Sequence, residues 1–376
     1  MKKIKLGDLC VPSAGQLKKD SDELIDYIDI SSVDNETKKV TGYQTLLFEE
    51  APSRARKTVK KGSILVSTVR PNLNAVAMLE EDTPNISVAS TGFCVLDSKE
   101  NVDNRFILNF CKSKTFINAM VAQATGASYP AVSDKIVRAA LVPDYTYEEQ
   151  CNISEVLDKV SNVIEKRKAE LCSLDDLIKA RFVEMFGNPE ANEKEWKMNT
   201  FGDICTVRQG LQIPISKRLT QYEDDCYEYI TVQYLHGGKE REYIKSPKTS
   251  VICTQNDILM TRTGNTGMVV TGVDGVFHNN FFLIDFDRNK YDKDFLVQYL
   301  KLDIIQADIL RRAGTSTIPD LNHSDFYKIK IFEPPIELQK QFTELITQVD
   351  KSKSAVKKAL DETQLLFDSL MQEYFG

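Results

Sequence analysis

The sequence has no run of apolar residues near the ~18 that a membrane helix requires. The opening MKKIKLGDLC has lysines but no apolar segment after them, so we expect neither a membrane span nor a secretory signal. The eight cysteines never form a C-x-x-C pair, and the three histidines are far apart in the sequence. We therefore expect reduced, mostly buried thiols in a cytoplasmic protein, and neither a zinc site nor a disulfide framework.

Motifs of catalysis and nucleotide binding are also missing. The sequence contains no G-x-x-x-x-G-K-[ST], no H-E-x-x-H and no G-x-S-x-G, and its TRTGNTG stretch is not a G-x-G-x-x-G loop. Glu333-Pro334-Pro335 is not the Asn-Pro-Pro-aromatic motif of amino-methylating DNA enzymes. We predict no catalytic residues, metal or cofactor in this chain, and assign any chemistry to partner proteins.

Composition indicates a soluble globular protein of more than one domain. The 376 residues are 42% apolar and 27% charged, and the length exceeds that of one ordinary core. The net charge is -7, but the blocks 1–145 and 197–335 are close to neutral and the segments after them are acidic. This excludes a generic polyanion binder, so any contact with nucleic acid must come from local clusters.

The chain repeats itself. FVEMFG ends at Gly187 and LMQEYFG ends at Gly376, 189 residues later. The same offset relates several further pairs of identical residues: Gln150 and Gln339, Glu155 and Glu344, Val160 and Val349, Lys168 and Lys357, and Leu177 and Leu366. Earlier landmarks such as LGDLC (6–10) and FGDIC (201–205) match at drifting offsets, as variable loops on a shared scaffold would produce.

Each half predicts a mixed α and β block followed by a long helix. Turn residues separate short β-rich runs at 64–69 and 75–79 in the first half and at 257–263 and 267–273 in the second. Helical spacing predicts one helix over 104–124 and its counterpart over 293–313. We expect Gly126, Ser128, Tyr129, Gly314, Thr315 and Ser316 to act as structural caps where these helices stop.

The segments that end the two halves have the period of a coiled coil. Steps of four and three connect ten seam positions: 153, 157, 160, 164, 167, 171, 174, 178, 181 and 185, with ten more at +189. Only Arg167, Arg181, Lys353 and Thr363 interrupt an otherwise apolar seam. At ~37 residues, or roughly 55 Å, each helix is longer than an ordinary surface helix that packs on its own domain. We predict that they pair antiparallel, with one block at each end and a pseudo-two-fold axis between.

Candidate DNA contacts lie in local clusters. Five cations fall within residues 54–61, and the loops at 68–74 and 261–267 combine arginine with asparagine and hydroxyl side chains. Arginine can present two donors to guanine and asparagine can read adenine, although plain β-turns favour the same residues. We predict phosphate contacts from Arg54, Arg56, Lys57 and Lys60, and base contacts nearby from Thr68, Arg70, Asn72, Asn74, Arg262, Thr263, Asn265 and Thr266. Arg311 and Arg312 either join them or complement a helix C-terminus.

A set of landmarks occurs twice and in the same order. They are Gly126 to Pro130, Pro143 and Glu148-Glu149-Gln150, then Gly314 to Pro319, Pro334-Pro335 and Glu337-Leu338-Gln339. This double pattern closely resembles the specificity subunit of Type I restriction-modification systems. The first copy departs from the pattern, because Val142-Pro143-Asp144 replaces paired prolines and Pro130 follows its glycine one residue sooner.

The resemblance implies an α/β (mixed α+β) fold with an internal repeat: target recognition domains at 1–146 and 197–335, spacer helices at 147–187 and 336–376, and a linker at 188–196. Each domain would read one half of a bipartite double-stranded DNA target, with two methyltransferase subunits and endonuclease/translocase subunits as partners. Two alternatives stay open, a coiled-coil scaffold that binds proteins and a standalone DNA-binding regulator. A modification-only system within the family gives the same pattern.

Overall fold

The computed structural model describes residues 2–12, 15–17, 23–235, 237, 240–314 and 319–376. The chain divides into two compact units: unit 1 is Met1–Lys168 with Lys358–Gly376, and unit 2 is Ala169–Lys357. The division points, after Lys168 and after Lys357, are themselves 189 residues apart. Each unit therefore holds one block together with a part of both long segments, whereas the five domain ranges given above remain predictions.

Unit 1 builds two sheets and a short antiparallel pair from its described strands: β1 (Lys3–Lys5), β2 (Leu24–Ile28), β3 (Gln44–Leu47), β4 (Ala55–Thr58), β5 (Ile64–Ser67), β6 (Val76–Met78), β7 (Ile86–Ser90), β8 (Phe93–Leu96) and β9 (Leu141–Pro143). One sheet has the order β3-β2-β7-β4, in which β2 and β7 are parallel. The other, β6-β5-β8, is antiparallel, and β1 pairs with β9. Its helices are α1 (Leu6–Leu9), α2 (Asn104–Lys112), α3 (Lys114–Gln123), α4 (Asp134–Ala139) and the start of α5 (Tyr147–Phe186).

Unit 2 contains the described strands β10 (Lys197–Thr200), β11 (Cys205–Gln209), β12 (Cys226–Ile230), β13 (Tyr243–Lys245), β14 (Ile252–Cys253), β15 (Ile258–Thr261), β16 (Val269–Val270), β17 (Gly275–Phe277), β18 (Phe281–Phe286) and β19 (Lys330–Glu333). The sheet β13-β12-β17-β14 again has a parallel central pair, β12 and β17. The sheet β11-β18-β15-β16 is antiparallel, and β10 pairs with β19. The helices are α6 (Phe201–Ile204), α7 (Val232–Leu235), α8 (Lys293–Lys301), α9 (Asp303–Ala313), α10 (His323–Phe326) and α11 (Ile336–Phe375), which ends in unit 1.

The prediction of single helices over 104–124 and 293–313 is wrong in both units. Ser113 has an extended backbone, and its hydroxyl accepts a bond from the Phe116 N–H, so it ends α2 and caps α3. Leu302 is extended in the same way between α8 and α9. The apolar periodicity continues across each break because both short helices pack their apolar faces into one core. The spacing alone therefore cannot distinguish two short helices from one long helix.

A buried glutamine fixes the long helix to its block in unit 1. The Gln150 side chain accepts a hydrogen bond from the Asp103 N–H at 3.1 Å and donates to the Tyr145 carbonyl at 2.9 Å. Asp103 caps α2, and its carboxylate also accepts from the Ser154 hydroxyl at 3.1 Å. Burial opposes the charged form of Asp103, but hydrogen bonds from Arg105, Phe106 and Ser154 bring its pKa below the ordinary value.

Unit 2 repeats this arrangement with residues 189 positions later. The Asp292 N–H donates to Gln339 at 2.8 Å, and the Gln339 amide donates to the Pro334 carbonyl at 2.8 Å. The Thr343 hydroxyl donates to the Asp292 carboxylate at 2.5 Å. The repeated glutamine is therefore a structural landmark, because each copy satisfies backbone groups where a long helix leaves its block.

Aromatic rings form much of the core where the helices meet the blocks. In unit 1 the Phe375 ring is fully buried, with its centroid 5.3 Å from Phe106 and 5.9 Å from Phe110. In unit 2 the fully buried Phe186 ring lies 4.9 Å from Phe295 and 5.4 Å from Phe342. The Phe-Gly that ends both halves of the sequence thus marks a core residue, followed by a glycine beyond the helix.

The predicted seam of the long helices faces inward. All the seam positions on α5 and α11 are buried or half-buried, and α5 fits a coiled coil. Within unit 1, Arg167 of α5 donates to Thr363 and to the Ala359 carbonyl of α11, while Leu157 and Phe375 share a core. Within unit 2, Lys353 pairs with Asp175 at 2.5 Å, and Phe182 contacts Phe342. The helix segments in each unit are therefore antiparallel. Arg167, Thr363 and Lys353 have partners on the facing helix, whereas Arg181 pairs with Glu184 on its own helix.

All eight cysteines are free thiols, and six of them are buried. Burial raises the pKa of Cys10 to about 11 and that of Cys205 to about 12, so both are neutral and unreactive near pH 7. Within the described ranges, no helix is both long and apolar enough to cross a membrane.

Candidate nucleic-acid interface

In unit 1 the loop after β5 is fastened on both sides by backbone hydrogen bonds. The Thr68 N–H donates to the Gly92 carbonyl at 2.8 Å, and the Thr68 carbonyl accepts from the Val132 N–H at 2.9 Å. Val69 forms a bridge with Ala131. The segment from Gly126 onward, which the sequence assigns to caps, therefore holds the candidate DNA loop in place.

Arg70 is the most conspicuous side chain of this loop. Its backbone is left-handed, with φ 49° and ψ 61°, a strained conformation for a residue with a side chain. Its guanidinium lies 4.8 Å from the centre of the Tyr129 ring, and Tyr129 is 68% exposed. The prediction that Tyr129 is a cap is wrong, because α3 ends at Gln123 with Ala124 as its cap; the Tyr129 ring supports an arginine instead. Both residues line a cleft of about 830 Å³, together with Arg54 and Thr91.

Two other polar residues of this loop face inward. Asn74 is 7% exposed, and its amide donates to the Cys111 carbonyl at 2.9 Å. Thr68 is equally buried, and its hydroxyl donates to the Gly92 carbonyl at 2.8 Å. In this conformation neither side chain reaches DNA, because each is used to shape the loop, whereas Arg70 and Asn72 are exposed.

The cations of residues 54–61 also include both members that are bonded to other groups of the protein and members that are exposed. Lys57 is 14% exposed and bonds to the Asp134 carboxylate and the Phe93 carbonyl, both at 2.6 Å. Arg56 lies over the Phe48 ring at 5.1 Å. Arg54 and Lys60 are exposed. Arg56 and Lys57 belong to β4 and are tied to neighbouring groups, whereas Arg54 and Lys60 lie outside that strand and are free to meet a partner, a difference that the run of cations in the sequence conceals.

The loop of unit 2 is fastened by the same kinds of bond. The Arg262 N–H donates to the Asn280 carbonyl at 2.7 Å, and the Arg262 carbonyl accepts from the Leu321 N–H at 3.0 Å. Thr263 forms a bridge with Asp320. By these bonds Arg262 corresponds to Thr68 and not to Arg70. The two loop arginines therefore occupy positions two residues apart in the repeat.

Arg262 is held by a carboxylate. Its Nε and Nη2 donate to the two oxygens of Asp320 at 2.9 and 2.7 Å, and its Nη1 donates to Gln209 at 3.3 Å. The hydrogen bond to Asp320 raises the pKa of Arg262 above its ordinary value. Thr266 is 8% exposed and donates to the Pro319 carbonyl at 2.8 Å, so it supports the loop. Asn265 is exposed, Thr263 is half-buried, and Thr315 and Ser316 lie outside the described residues.

Arg311 and Arg312 end α9, and both bond to Asp308 one turn earlier, Arg312 at 2.7 Å. The Arg311 side chain remains 72% exposed. Their position agrees with a role at the helix C-terminus, while Arg311 keeps donors free for a partner.

Sequence reasoning missed Tyr129, Gln209 and Asp320 as parts of the candidate interface. Tyr129 and Asp320 flank the proline of each repeated Gly-to-Pro segment, which was a signal that could have found them. Gln209 ends β11 and gives no such signal, because only the fold brings it within reach of Arg262.

A family model described as the Type I restriction modification DNA specificity domain matches residues 1–172 and 193–363. The chain is 22% identical over 319 residues to the Type I restriction enzyme MjaIX specificity subunit of Methanocaldococcus jannaschii, covering 76% of this chain and 70% of that protein. It is 23% identical over 185 residues to the MjaVIII specificity subunit of the same organism, which covers 48% of this chain and less than half, 42%, of the relative.

Two solved structures resemble the whole chain. One belongs to work on complex assembly and conformational transition of the type I R-M system, with a TM-score of 0.63, 22% identity, and coverage of 100% of this chain and 97% of the other. The other is the S subunit of a Type I restriction-modification system from M. genitalium, with a TM-score of 0.58, 16% identity, and coverage of 100% and 96%. At these identities the likeness establishes the fold.

Proposed function

This chain belongs to the family of Type I restriction-modification DNA specificity subunits, and we propose that it reads a bipartite double-stranded DNA target, one half through each unit. The observation that carries the proposal is the pair of loops, 68–74 and 261–267, which matching backbone bonds fix at the same place in both units. A fixed loop bearing an arginine can enter a major groove without first losing conformational entropy.

We further propose that the two long helices set the distance between the half-sites. Their segments are antiparallel within each unit, and a stiff pair of helices turns the DNA spacer into a geometric requirement, which a flexible linker does not do. The chain itself would be non-catalytic and cytoplasmic. Two methyltransferase subunits would modify the target, and endonuclease/translocase subunits would join for cleavage.

The alternatives from the sequence receive less support. A protein-binding scaffold needs no pair of fixed arginine-bearing loops, and the family match points to DNA specificity. A standalone regulator needs enough positive charge to bind DNA by itself, whereas this chain carries a net charge of -7.

A selection experiment tests the proposed function. The full chain is assembled with a methyltransferase subunit from the same genome, and the complex selects duplexes from a random library. We expect one motif with two short half-sites and a constant spacer, and binding that weakens steeply with salt. Selection of a single uninterrupted site, or of no motif by an intact complex, would contradict the proposal.

A repeated surface leucine gives a test of the partners. Leu177 and Leu366 are identical residues 189 positions apart, yet they are 44% and 51% exposed and lie outside the seam. An exposed leucine at the same place in both repeats suits two copies of one partner. We expect Leu177→Asp with Leu366→Asp to reduce methyltransferase co-purification at least ~10-fold, and each single change to leave about one copy bound, as measured by native mass spectrometry.

The control for this prediction changes an exposed polar residue on each helix, Ser173→Asp with Glu362→Ala, and should leave two copies bound. Thermal unfolding of all variants should agree with the wild type, because none of these side chains is buried. Full retention of both partner copies by the double aspartate variant would show that the repeated leucines are not docking points.

A further inference from the structure

We propose that Arg262 reads a guanine in the second half-site, and that Asp320 and Gln209 are the residues that position it. The inference rests on the proposed function and deepens it, since it names a base and assigns roles to two residues outside the cation cluster and the loop.

A guanidinium group has five N–H donors. Asp320 occupies the Nε donor and one Nη2 donor, and Gln209 occupies one Nη1 donor. One donor therefore remains on each of the two terminal nitrogens. The guanine edge in the major groove offers two acceptors, O6 and N7, which a pair of donors from one arginine can satisfy together.

The carboxylate of Asp320 makes a phosphate a poor partner for this arginine. The pair is already neutral as a unit, and a phosphate close to Arg262 would also lie close to Asp320, whose side chain is 46% exposed. Like charges at that distance repel each other. A base edge carries no net charge, so it meets the remaining donors without this penalty. The ion pair thus favours a base contact over a backbone contact.

The position of the arginine is fixed before DNA arrives. Its N–H is bonded to Asn280 and its carbonyl to Leu321, on opposite sides of the loop. Gln209 is itself anchored, since its amide donates to the Asn279 carbonyl at 2.5 Å. Because its backbone and side chain are both held, Arg262 loses little conformational entropy on binding. It can therefore discriminate between bases that differ by one acceptor.

Unit 1 cannot use the same device. The residues with the corresponding backbone bonds are Thr68 and Ala131, which offer neither a guanidinium nor a carboxylate. The Arg70 guanidinium instead lies over the Tyr129 ring, with no carboxylate bonded to it among the described residues. The inference therefore concerns one half-site only, and a change at Arg262 should alter the preference there and leave the other half-site as it is.

The test uses the full complex with its methyltransferase subunits and duplex libraries in which one half-site is randomised at a time. We expect Arg262→Ala and Arg262→Gln to reduce the preference for guanine at one position by about 10- to 100-fold, because alanine offers no donor and glutamine matches the adenine edge instead. We expect both to leave the slope of affinity against salt unchanged. Asp320→Asn should keep binding but weaken that guanine preference, and steepen the salt slope by about one phosphate contact.

Arg288→Ala is the matched control, since it also removes one half-exposed arginine from unit 2 that pairs with an aspartate, Asp257, and should keep the guanine preference. Circular dichroism and thermal unfolding check that each variant is folded. The inference is overturned if Arg262→Gln keeps the preference, or if Arg262→Ala only flattens the salt slope. Absence of any motif with the wild-type complex would count against the proposed function itself.

Discussion

Lengthening both long helices by one heptad is expected to move the two half-sites apart without changing either of them. The variant duplicates residues 162–168 in α5 and residues 351–357 in α11, so that seven residues enter each helix at the boundary between the units. Because whole heptads are added at matching places, the seam stays apolar and the new turns face each other.

The expected effect follows from the rise of the helix. Seven residues add about 10 Å, and a base pair occupies about 3.4 Å, so the selected spacer should grow by roughly one to three base pairs. Methylation of the original target should fall at least ~100-fold, because a reader that misses its half-site loses several base contacts worth about 1 to 3 kcal/mol each. Repeating the library selection with the variant complex measures both.

The control duplicates residues 162–168 alone. With only α5 longer, the seam residues of α5 and α11 no longer face their partners on one side of the insertion. This variant should therefore be destabilised and should select no new spacer. A folded double variant that still selects the original spacer would contradict the idea that the helices set the distance.

Phe375, the last residue of α11, is expected to be as important for stability as other buried rings of the unit 1 core. Phe375→Ala removes a fully buried ring that contacts Phe106 and Phe110, and it should destabilise unit 1 by about 3 to 5 kcal/mol. Urea unfolding gives the free energy, and hydrogen exchange in α2 shows where the loss occurs.

Two comparisons make this prediction specific. Glu373→Ala, two residues earlier on the exposed face of α11, should change stability by less than about 0.5 kcal/mol. Phe186→Ala removes the corresponding ring of unit 2, also fully buried, and should destabilise by a similar amount but expose α8 and not α2 to exchange. Wild-type stability of Phe375→Ala would show that the end of the chain is not part of the core.

Much of the fold could be predicted from periodicity. The seam positions of both long helices face inward, and the β-rich runs at 64–69 and 257–263 became β5 and β15. Where prediction failed, the signal was ambiguous in physical terms. Helices broken at Ser113 and Leu302 keep one apolar face, so their spacing resembles that of a single helix.

The candidate interface was less accessible to sequence reasoning. Composition could find the loops at 68–74 and 261–267, because arginine, asparagine and threonine concentrate there. It could not show that Asn74 and Thr266 are buried supports, or that Lys57 is tied to Asp134. The same type of polar residue can contact DNA or satisfy a buried carbonyl group. Only its surroundings in the folded protein distinguish the two roles.

The sequence by itself determined that one pattern occurs twice in this protein, with mixed α and β blocks, long helices of heptad period and arginine-bearing loops after matching strands. These features are local or periodic, so they can be read along the chain. Only the tertiary structure decided that Arg262 is hydrogen-bonded to Asp320 and Gln209, while the Arg70 guanidinium lies over the Tyr129 ring. Those contacts join residues far apart in the sequence, and the geometry and charge that set their chemistry exist only once the chain has folded.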